Sequence, residues 1–333
     1  LRGAEHYLTV DALRNAVKKS KAGGASDYEG ARAFEDFHHL FSTADNDVLE
    51  IFRERVAEPF LTGVFPEGAF EPDYLYGGTL MALSKAPKPG SRPIAIGLAL
   101  RRLTHRAVLA ASGINEDLAT YFTQEHPRVL QLAGGVPDGA SHGFKLIESL
   151  LEHLRVWPVL EDPENPCTPL DRETEEDPYV VSAADRSNAF NCVNRQTLLD
   201  HLAGTASCDY DLGAGPNGEP GVKKGDALQW CTTALQPLHA AIKAMYGGAT
   251  TLRHFSKASG SFLHLSSTLG VHQGCVIGST LFCATMHPII CRVLDRHPQV
   301  FAVCYADNVF LVGRASLVLP AHEELDHHLL QDM

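Results

Sequence analysis

The run Phe301-Ala-Val-Cys-Tyr-Ala-Asp-Asn-Val-Phe-Leu-Val-Gly313 is the stretch that decides the fold. The apolar residues up to Tyr305 predict one strand and those after Asn308 predict a second, with room only for a tight turn between them. Asp and Asn suit such a turn because their side chains bond the local backbone. Taken alone, Asp307 and Asn308 are explained by ordinary turn chemistry.

A second carboxylate has a similar setting. Tyr179-Val-Val-Ser-Ala-Ala184 predicts a buried strand, and Asp185 follows at its C-terminal end. If this strand lies beside the strand that ends at Tyr305, Asp185 and Asp307 form a site of hard oxygen ligands. Such a site can hold two Mg²⁺ ions roughly 3.5–4 Å apart, the arrangement used in phosphoryl transfer. Two aspartates at strand ends therefore predict a chemistry that neither predicts alone.

A glycine-rich segment lies between these two strands. Gly270, Gly274 and Gly278 recur every four residues, just before the apolar run Leu281-Phe-Cys-Ala284. The spacing fits a loop that approaches another backbone closely and then enters a helix. It fits equally well a helix entry in which small residues aid packing, and the residues alone leave both interpretations open.

Charge is distributed unevenly along the chain. The whole sequence of 333 residues has a net charge of -12, which taken alone argues against nucleic acid as a partner. A predicted hairpin over residues 80–94 lies within a region, residues 71–110, that has a net charge of +4. The six basic residues of that region are Lys85, Lys88, Arg92, Arg101, Arg102 and Arg106. A basic surface therefore persists inside an acidic chain.

Composition sets the outer limits. With 44% hydrophobic residues, the chain suffices for one large or two ordinary domains. Its eight cysteines form no C-x-x-C pair, so we expect reduced thiols and no structural zinc. No apolar run approaches the ~18 residues of a membrane span, so we expect no membrane partner. Residues 1–60, 98–109 and 145–154 have helical periodicity, whereas the acidic segment 161–178 and residues 211–225 predict surface loops.

Four motifs, in this order, resemble the fingers and palm of reverse transcriptases, especially those of non-LTR retrotransposons. They are Lys-Pro-Gly-Ser-Arg-Pro-Ile (88–94), Ala-Asp-Arg-Ser-Asn-Ala-Phe-Asn (184–191), Gly-Val-His-Gln-Gly (270–274) with Leu-Phe (281–282), and Tyr-Ala-Asp-Asn (305–308). Each motif is weakly specific, but four in sequence are a strong signal, and the resemblance covers roughly residues 80–313. It implies an α+β polymerase fingers-palm fold with an antiparallel palm sheet packed on helices.

The resemblance also implies roles for single residues. Asp185 and Asp307 would be the catalytic, metal-binding aspartates of the first and third palm motifs, with Asn308 beside them, and Mg²⁺ or Mn²⁺ as the cofactor. Phe190 would be the aromatic gate that excludes a ribose 2′-OH. The remaining nucleotide-binding residues would be Gln273 and Gly274, which line the pocket, with Lys85 and Arg92 on the triphosphate. Without the family context, the last two belong to an ordinary solvated hairpin.

The implied function is RNA-templated DNA synthesis on an RNA template and a DNA primer with dNTPs, and a retrotransposon product would act in the nucleus. The sequence departs from the family at Asn308, where a second Asp is usual, and at Cys275, where we expect an acid. These departures support an alternative, a catalytically inactive fold that serves as an RNA-binding or assembly subunit of a larger ribonucleoprotein. A third possibility, RNA-templated RNA synthesis, is disfavoured by Phe190.

We therefore predict three regions: an N-terminal helical region (1–70), a fingers-like region with the basic hairpin and acidic loop (71–178), and a palm-like region (179–333). Only 25 residues follow Asn308. They are too few for the rest of a palm and a helical thumb, so we expect no complete thumb and a chain truncated after the third palm motif.

Overall fold

The computed structural model describes residues 3–27, 29–67, 72–85, 87, 90–111, 113–124, 126–156, 177–185, 189–203 and 235–332. They form an α+β protein, as predicted, and divide into two compact units, each built from separate stretches of sequence. The Gly-rich segment 211–225 and all but the last two residues of the acidic segment 161–178 lie outside the described residues. Within the described part, no helix has the length and apolar character needed to cross a membrane.

The first unit takes its residues from Leu1–Asp117, Ala189–Asp209 and Lys224–Phe282. Its first helix begins where Thr9 caps it, because the Thr9 hydroxyl accepts a hydrogen bond from the Ala12 amide at 3.1 Å. Its helices are α1 (Val10–Lys18), α2 (His38–Thr43), α3 (Asn46–Phe52), α4 (Pro59–Thr62), α5 (Pro72–Tyr76), α6 (Ala99–Ala111), α9 (Ala189–Cys192), α10 (Arg195–Ala203) and α11 (His239–Tyr246). The helical content predicted for residues 1–60 and 98–109 is present.

A four-stranded sheet completes the first unit, in the order β2 (Ser91–Ile96), β1 (Gly78–Ser84), β5 (Thr250–Ser256), β6 (Ser261–Ser267). The predicted hairpin is confirmed, since β1 and β2 pair antiparallel from Thr79 opposite Ile96 to Ser84 opposite Ser91. Strands β5 and β6 form a second antiparallel hairpin, and β5 runs parallel to β1.

A buried arginine fixes the start of this sheet against α6. Arg101 is 3% exposed and donates hydrogen bonds to the carbonyl oxygens of Leu75, at 2.7 Å, and Gly77, at 3.2 Å. These two carbonyls lie at the end of α5 and just before β1, so one guanidinium satisfies the chain where it changes from helix to strand. Arg101, counted in the sequence as part of the basic region, is therefore a structural residue.

The second unit takes its residues from Leu118–Asn188, Tyr210–Lys223 and Cys283–Met333. Its sheet has the order β3 (Val129–Gln131), β7 (Phe301–Tyr305), β8 (Asn308–Arg314), β4 (Tyr179–Asp185). The helices that lie wholly or mainly in this unit are α7 (Ile114–Gln124), α8 (Gly139–Val156), α12 (Gly278–Arg296) and α13 (Ala315–Asp332). The strand, turn and strand predicted from residues 301–313 are confirmed by β7 and β8.

Two details of this sheet differ from the prediction. The sheet is mixed, because β3 pairs parallel with β7, whereas β7–β8 and β4–β8 are antiparallel. Strand β4 was predicted to be buried, yet Val181 and Ala183 are exposed. Val181 and Ala183 are two residues apart and share one face of the strand. One face of an antiparallel sheet is commonly solvated, and a short apolar run does not predict which face or whether it is covered.

The division of the chain into residues 1–70, 71–178 and 179–333 stays a prediction. The core of the second unit is formed by central strands, where Ala302, Val303 and Cys304 of β7 and Val309, Leu311 and Val312 of β8 are all buried. Buried residues flanking a turn hold the ends of both strands firmly, and the turn at Ala306 and Asp307 is the position where the candidate chemistry lies.

Candidate functional site

The turn between β7 and β8 contains only Ala306 and Asp307, because Tyr305 and Asn308 form the last pair of the ladder. Ala306 has φ = +52°, an unusual value for a residue with a Cβ. Positive φ at this position is normally supplied by glycine in two-residue hairpins. The turn is therefore held in a conformation that its own residue type disfavours.

Gln131 holds this turn from β3. Its side chain is fully buried, and its Oε1 accepts hydrogen bonds from the amides of Ala306, at 3.1 Å, and Ala133, at 3.2 Å. Its Nε2 donates to the carbonyl oxygen of Ala306 at 3.5 Å. Sequence reasoning missed Gln131, because a glutamine in a three-residue strand carries no local signal. Only the parallel pairing of β3 with β7, with Gln131 opposite Cys304, brings it to the turn.

Strand β4 brings Asp185 to the same end of the sheet. Its register with β8 runs from Tyr179 opposite Arg314 to Asp185 opposite Asn308. Directly paired residues of antiparallel strands have Cα atoms about 4.5–5.5 Å apart. Asp185 thus lies opposite Asn308, the residue that directly follows Asp307. The side chain of Asp185 and residues 186–188 lie outside the described residues.

The side chains of Asp307 and Asn308 are both partly exposed. The Asn308 Nδ2 donates to the carbonyl oxygen of Tyr305 at 3.5 Å, which turns the amide nitrogen toward the turn. Both residues offer hard oxygen atoms, the donor type that Mg²⁺ prefers. Among the side chains that the structure describes, no group of three or more His, Cys, Asp or Glu is placed to hold a metal ion.

Two thiols lie close to the turn. Burial raises the pKa of Cys283, and the nearby Cys304 and the Asp307 carboxylate raise it further. Burial also raises the pKa of Cys304 to about 12. Both thiols are therefore neutral near pH 7, and neither is activated as a nucleophile.

A small cleft of about 140 Å³ opens beside Asn308. One wall is helix α8 and the other is the β7–β8 hairpin. The lining residues are Ala140, Gly143, Phe144, Ile147, Val303, Tyr305, Asn308 and Phe310. Among these lining residues, which are mostly apolar, only Asn308 has a side-chain amide. The cleft can therefore accept a flat or apolar group, with the Asn308 amide beside it at the turn.

In the first unit, the glycine-rich segment is a loop up to Ile277 and a helix from Gly278, so the loop interpretation holds. The Gly270 amide donates to Val193 O at 2.8 Å, and the Val271 amide donates to Phe190 O at 2.7 Å. Gly270 has φ = +73°, and a Cβ there would lie 2.4 Å from the Asn191 Cα. The close backbone approach thus requires glycine.

Phe190, whose carbonyl oxygen accepts from the Val271 amide, lies beside the glycine-rich loop. Its ring is 8% exposed and stacks on Phe282, with centroids 4.4 Å apart and planes 14° apart. The Phe190 ring thus packs nearly parallel to an aromatic partner on α12.

Gln273 and Gly274 lie against the hairpin of β1 and β2. The Gln273 carbonyl oxygen accepts a hydrogen bond from the Ala95 amide at 2.7 Å. Gly274 has φ = +96°, and a Cβ there would lie 3.0 Å from both Ala95 O and the Ile94 Cγ2. The Gln273 Oε1 is buried and has no hydrogen-bond partner within the described part of the chain. An unpaired buried acceptor of this kind marks a place where a donor group of a ligand would be favourable.

A second buried arginine, Arg195, is hydrogen-bonded to the backbone of the glycine-rich loop. Arg195 donates to Gly270 O at 2.8 Å and to Ser267 O at 2.7 Å. His272 is 6% exposed, and burial, with smaller contributions from Arg101 and Arg195, lowers its pKa to about 3. His272 is therefore neutral near pH 7, so its imidazole does not repel the Arg195 guanidinium. Neither residue stood out in the sequence as a support of this loop.

Lys85 and Arg92 lie at the turn end of the β1–β2 hairpin. The Lys85 amide donates to Gly90 O at 3.0 Å, and Arg92 pairs with Leu83 across the ladder. Arg92 is exposed, Lys85 is partly exposed, and Lys88 lies outside the described residues. The eight predicted site residues thus form two groups: Asp185, Asp307 and Asn308 in the second unit, and Lys85, Arg92, Phe190, Gln273 and Gly274 in the first.

No family model matches the chain, and comparison with curated proteins found no match. Among solved structures, the chain is similar to telomerase from Candida albicans in complex with a TWJ fragment of telomeric RNA, at 11% identity and a TM-score of 0.46, covering 99% of this chain and 56% of that one. It is also similar to apo telomerase from Candida tropicalis truncated from its C-terminal domain, at 13% identity and a TM-score of 0.40, covering 85% and 53%. The chain spans about half the length of these structures.

Proposed function

We propose that this chain is a reverse-transcriptase-like module that performs RNA-templated DNA synthesis by two-metal nucleotidyl transfer. The observation that carries the proposal is the register of β4 and β8, in which Asp185 pairs with Asn308, next to Asp307 at the tight turn. Two aspartates at adjacent strand ends provide hard oxygen ligands of the type that a two-metal reaction uses.

Asp185 and Asp307 would hold Mg²⁺, or Mn²⁺ in its place, and the Asn308 amide oxygen can serve as an uncharged ligand. When bound, the metal supplies a lowered pKa for the primer 3′-OH and stabilises charge on the transferred phosphate. The chain's own residues position the carboxylate: Gln131 holds the backbone that carries Asp307, and the buried, neutral thiol of Cys283 lies close to its side chain.

The first unit would supply nucleotide selection. A steric gate needs a well-positioned ring, and the stacking of Phe190 on Phe282 supports that role. The unpaired Oε1 of Gln273 and the exposed backbone at Gly274 are suited to a base or sugar edge. Lys85 and Arg92 are suited to a triphosphate, because phosphoryl transfer depends mainly on positioning and electrostatic stabilisation.

Primer extension on an RNA template with dNTPs tests the reaction. Asp185→Ala and Asp307→Ala should each abolish incorporation, whereas Asp11→Ala, which changes a carboxylate that is 86% exposed, should leave it unchanged. A titration with Mn²⁺ gives a second readout, because both site variants should lose affinity. Equal incorporation by the unmodified chain and both site variants would refute the assignment.

The second candidate function is a catalytically inactive fold that binds RNA or assembles a ribonucleoprotein. Asn308 favours it, because an amide in place of a second carboxylate removes one negative charge beside the cations and weakens their binding. In that case RNA binding should persist without Mg²⁺ and weaken when Lys85, Lys88 and Arg92 are neutralised. Binding that is insensitive to salt would contradict it.

The gate assignment separates DNA from RNA synthesis. Phe190→Ala should increase the use of NTPs relative to dNTPs, because the smaller side chain leaves room for the 2′-OH. Ala substitution of Phe122, a fully buried aromatic of the second unit, controls for lost packing. An unchanged ratio in Phe190→Ala would remove Phe190 from the nucleotide site.

A further inference from the structure

The sheet of the first unit is free of carboxylates on every strand. No Asp or Glu occurs between Asp73 and Glu116, or between Asp226 and Asp295, although the chain contains 40 acids and has a net charge of -12. All four strands, Gly78–Ser84, Ser91–Ile96, Thr250–Ser256 and Ser261–Ser267, fall within these two stretches. Acids are excluded from one structural layer of an otherwise acidic protein, which is the electrostatic pattern expected of a surface for an anion.

Strand register collects basic and aromatic residues on one face of this sheet. Residues paired across a ladder project from the same face, and so do alternate residues along a strand. Thr79 pairs with Arg253, which places Leu83 of β1 and Phe255 of β5 on that face as well. We call it the arginine–phenylalanine face, and its residues include Leu83, Arg92, Arg253, Phe255, Phe262 and His264.

The face is open to solvent at its aromatic end. Phe255 is 49% exposed and Phe262 is 52% exposed, and their ring centroids lie 5.4 Å apart at an interplanar angle of 65°. Lys257 is exposed in the turn that joins β5 to β6. Two adjacent half-exposed phenyl rings form a contiguous apolar patch, and such patches with a polar rim are typical of interaction sites.

We propose that the arginine–phenylalanine face binds a single-stranded nucleic acid, with bases stacked on Phe255 and Phe262 and phosphates near Lys257. Aromatic rings interspersed with cations along a groove are the common means by which proteins hold single strands. An apolar protein partner would explain the two rings but not the exclusion of carboxylates. A duplex would explain the cations but would leave the rings without bases to stack on.

This inference deepens the proposed function, because it assigns a surface to the nucleic acid that the reaction requires. It rests on the proposed function in that respect. The proposed contacts involve neither Asp185 nor Asp307 and no metal ion. Loss of catalysis and loss of this surface can therefore be observed separately.

The test is fluorescence anisotropy of the chain with a labelled oligouridylate, and separately an oligothymidylate, of about 20 nucleotides, without divalent metal. The paired change Phe255→Ala and Phe262→Ala should weaken binding by about tenfold or more, because stacking contributes strongly at each base. Lys257→Glu should weaken binding and reduce its dependence on salt. Two matched controls, Leu319→Ala at an apolar position that is 57% exposed and Lys19→Glu at an exposed lysine, should bind as the unmodified chain does.

A further variant separates stacking from simple apolar contact. Phe255→Leu with Phe262→Leu keeps apolar bulk but removes the rings, and it should lose affinity nearly as much as the alanine pair. Thermal unfolding of each variant checks that the fold is retained, and Lys257→Glu gives an independent answer if the phenylalanine variants unfold. The proposal is refuted if the unmodified chain binds neither oligomer, if it prefers a duplex, or if the leucine pair and Lys257→Glu both bind normally.

Measuring single-strand binding and primer extension on the same variants distinguishes the proposed binding surface from the proposed reaction. Single-strand binding that depends on Phe255 and Phe262 in a chain without primer extension would support the surface and contradict catalysis. Primer extension that is abolished in Asp307→Ala but unchanged in the phenylalanine pair, together with unchanged binding, would support catalysis and refute the surface.

Discussion

Gln131 is hydrogen-bonded to both backbone polar groups of Ala306, accepting from its amide at 3.1 Å and donating to its carbonyl oxygen at 3.5 Å. The two residues are separated by 175 positions in the sequence. Ala306 has a positive φ that alanine disfavours by roughly 1–2 kcal/mol. Gln131 therefore compensates for a strained turn, and that turn presents Asp307.

Gln131→Met should lower the free energy of unfolding by about 1–3 kcal/mol, because the partly buried amides of Ala306 and Ala133 lose their acceptor while the side-chain volume is nearly conserved. Equilibrium urea unfolding measures this loss. Gln196→Met, at an exposed glutamine on helix α10, is the matched control and should stay within about 0.5 kcal/mol of the unmodified chain. An equally small effect of Gln131→Met would show that the turn does not need the clamp.

Gly270→Ala should cost about 2–4 kcal/mol, because the new Cβ combines an unfavourable positive φ with a contact of 2.4 Å to Asn191. Two other glycines separate these causes. Gly260 has φ = +63° and open space around it, so Gly260→Ala should show the conformational cost alone. Gly248 has open space and no positive φ, so Gly248→Ala should be nearly neutral. Thermal or urea unfolding of all three variants gives the comparison, and a neutral Gly270→Ala would disprove the close approach.

His287→Leu should reduce the sensitivity of the protein to acid. His287 is fully buried, neither ring nitrogen has a hydrogen-bond partner among the described residues, and burial, with a smaller contribution from His126, lowers its pKa to about 3. The unfolded chain has a histidine pKa of about 6.5, so it binds a proton between pH 6.5 and 3 that the folded chain does not. Stability therefore falls as pH decreases through this window, by about 1.4 kcal/mol per pH unit for each such histidine.

Urea unfolding at several values of pH from 7 to 4 checks this expectation. His287→Leu should flatten the decrease by the contribution of one histidine, and at pH 7 it should leave stability equal or higher. Met286→Leu changes the buried neighbour, which does not titrate, and should retain the slope of the unmodified chain. If His287→Leu also retains that slope, His287 is protonated in the folded protein.

Asn308→Asp should tighten the binding of Mn²⁺ by about tenfold, since affinity rises with the number of charged ligands. Titration with Mn²⁺ measures the change, and primer extension should rise with it if the proposed reaction takes place. Asn194→Asp alters a residue that caps helix α10 through its side-chain oxygen, and it should leave Mn²⁺ affinity unchanged. Unchanged affinity in Asn308→Asp would place position 308 outside the metal site.

Several elements were predictable because their signals are local. The β7–β8 hairpin, the β1–β2 hairpin and the strand that ends at Asp185 follow from apolar runs bounded by turn residues. The exposure of β4 and the parallel pairing of β3 did not follow, because both depend on which elements become neighbours. Whether one face of an apolar strand is covered or solvated is a property of the whole fold.

The sequence by itself determined the chemical types at the site: aspartates after two apolar strands, glycines where a loop approaches a helix, and cations at a hairpin turn. Tertiary structure alone decided that Asp185 lies opposite Asn308, that Gln131 stabilises the turn at Ala306, and that Phe255 and Phe262 share a face with Arg92. The physical reason is that side-chain chemistry belongs to single residues. Register and strand order are set by the joint burial of many distant residues, so no short stretch of sequence encodes them.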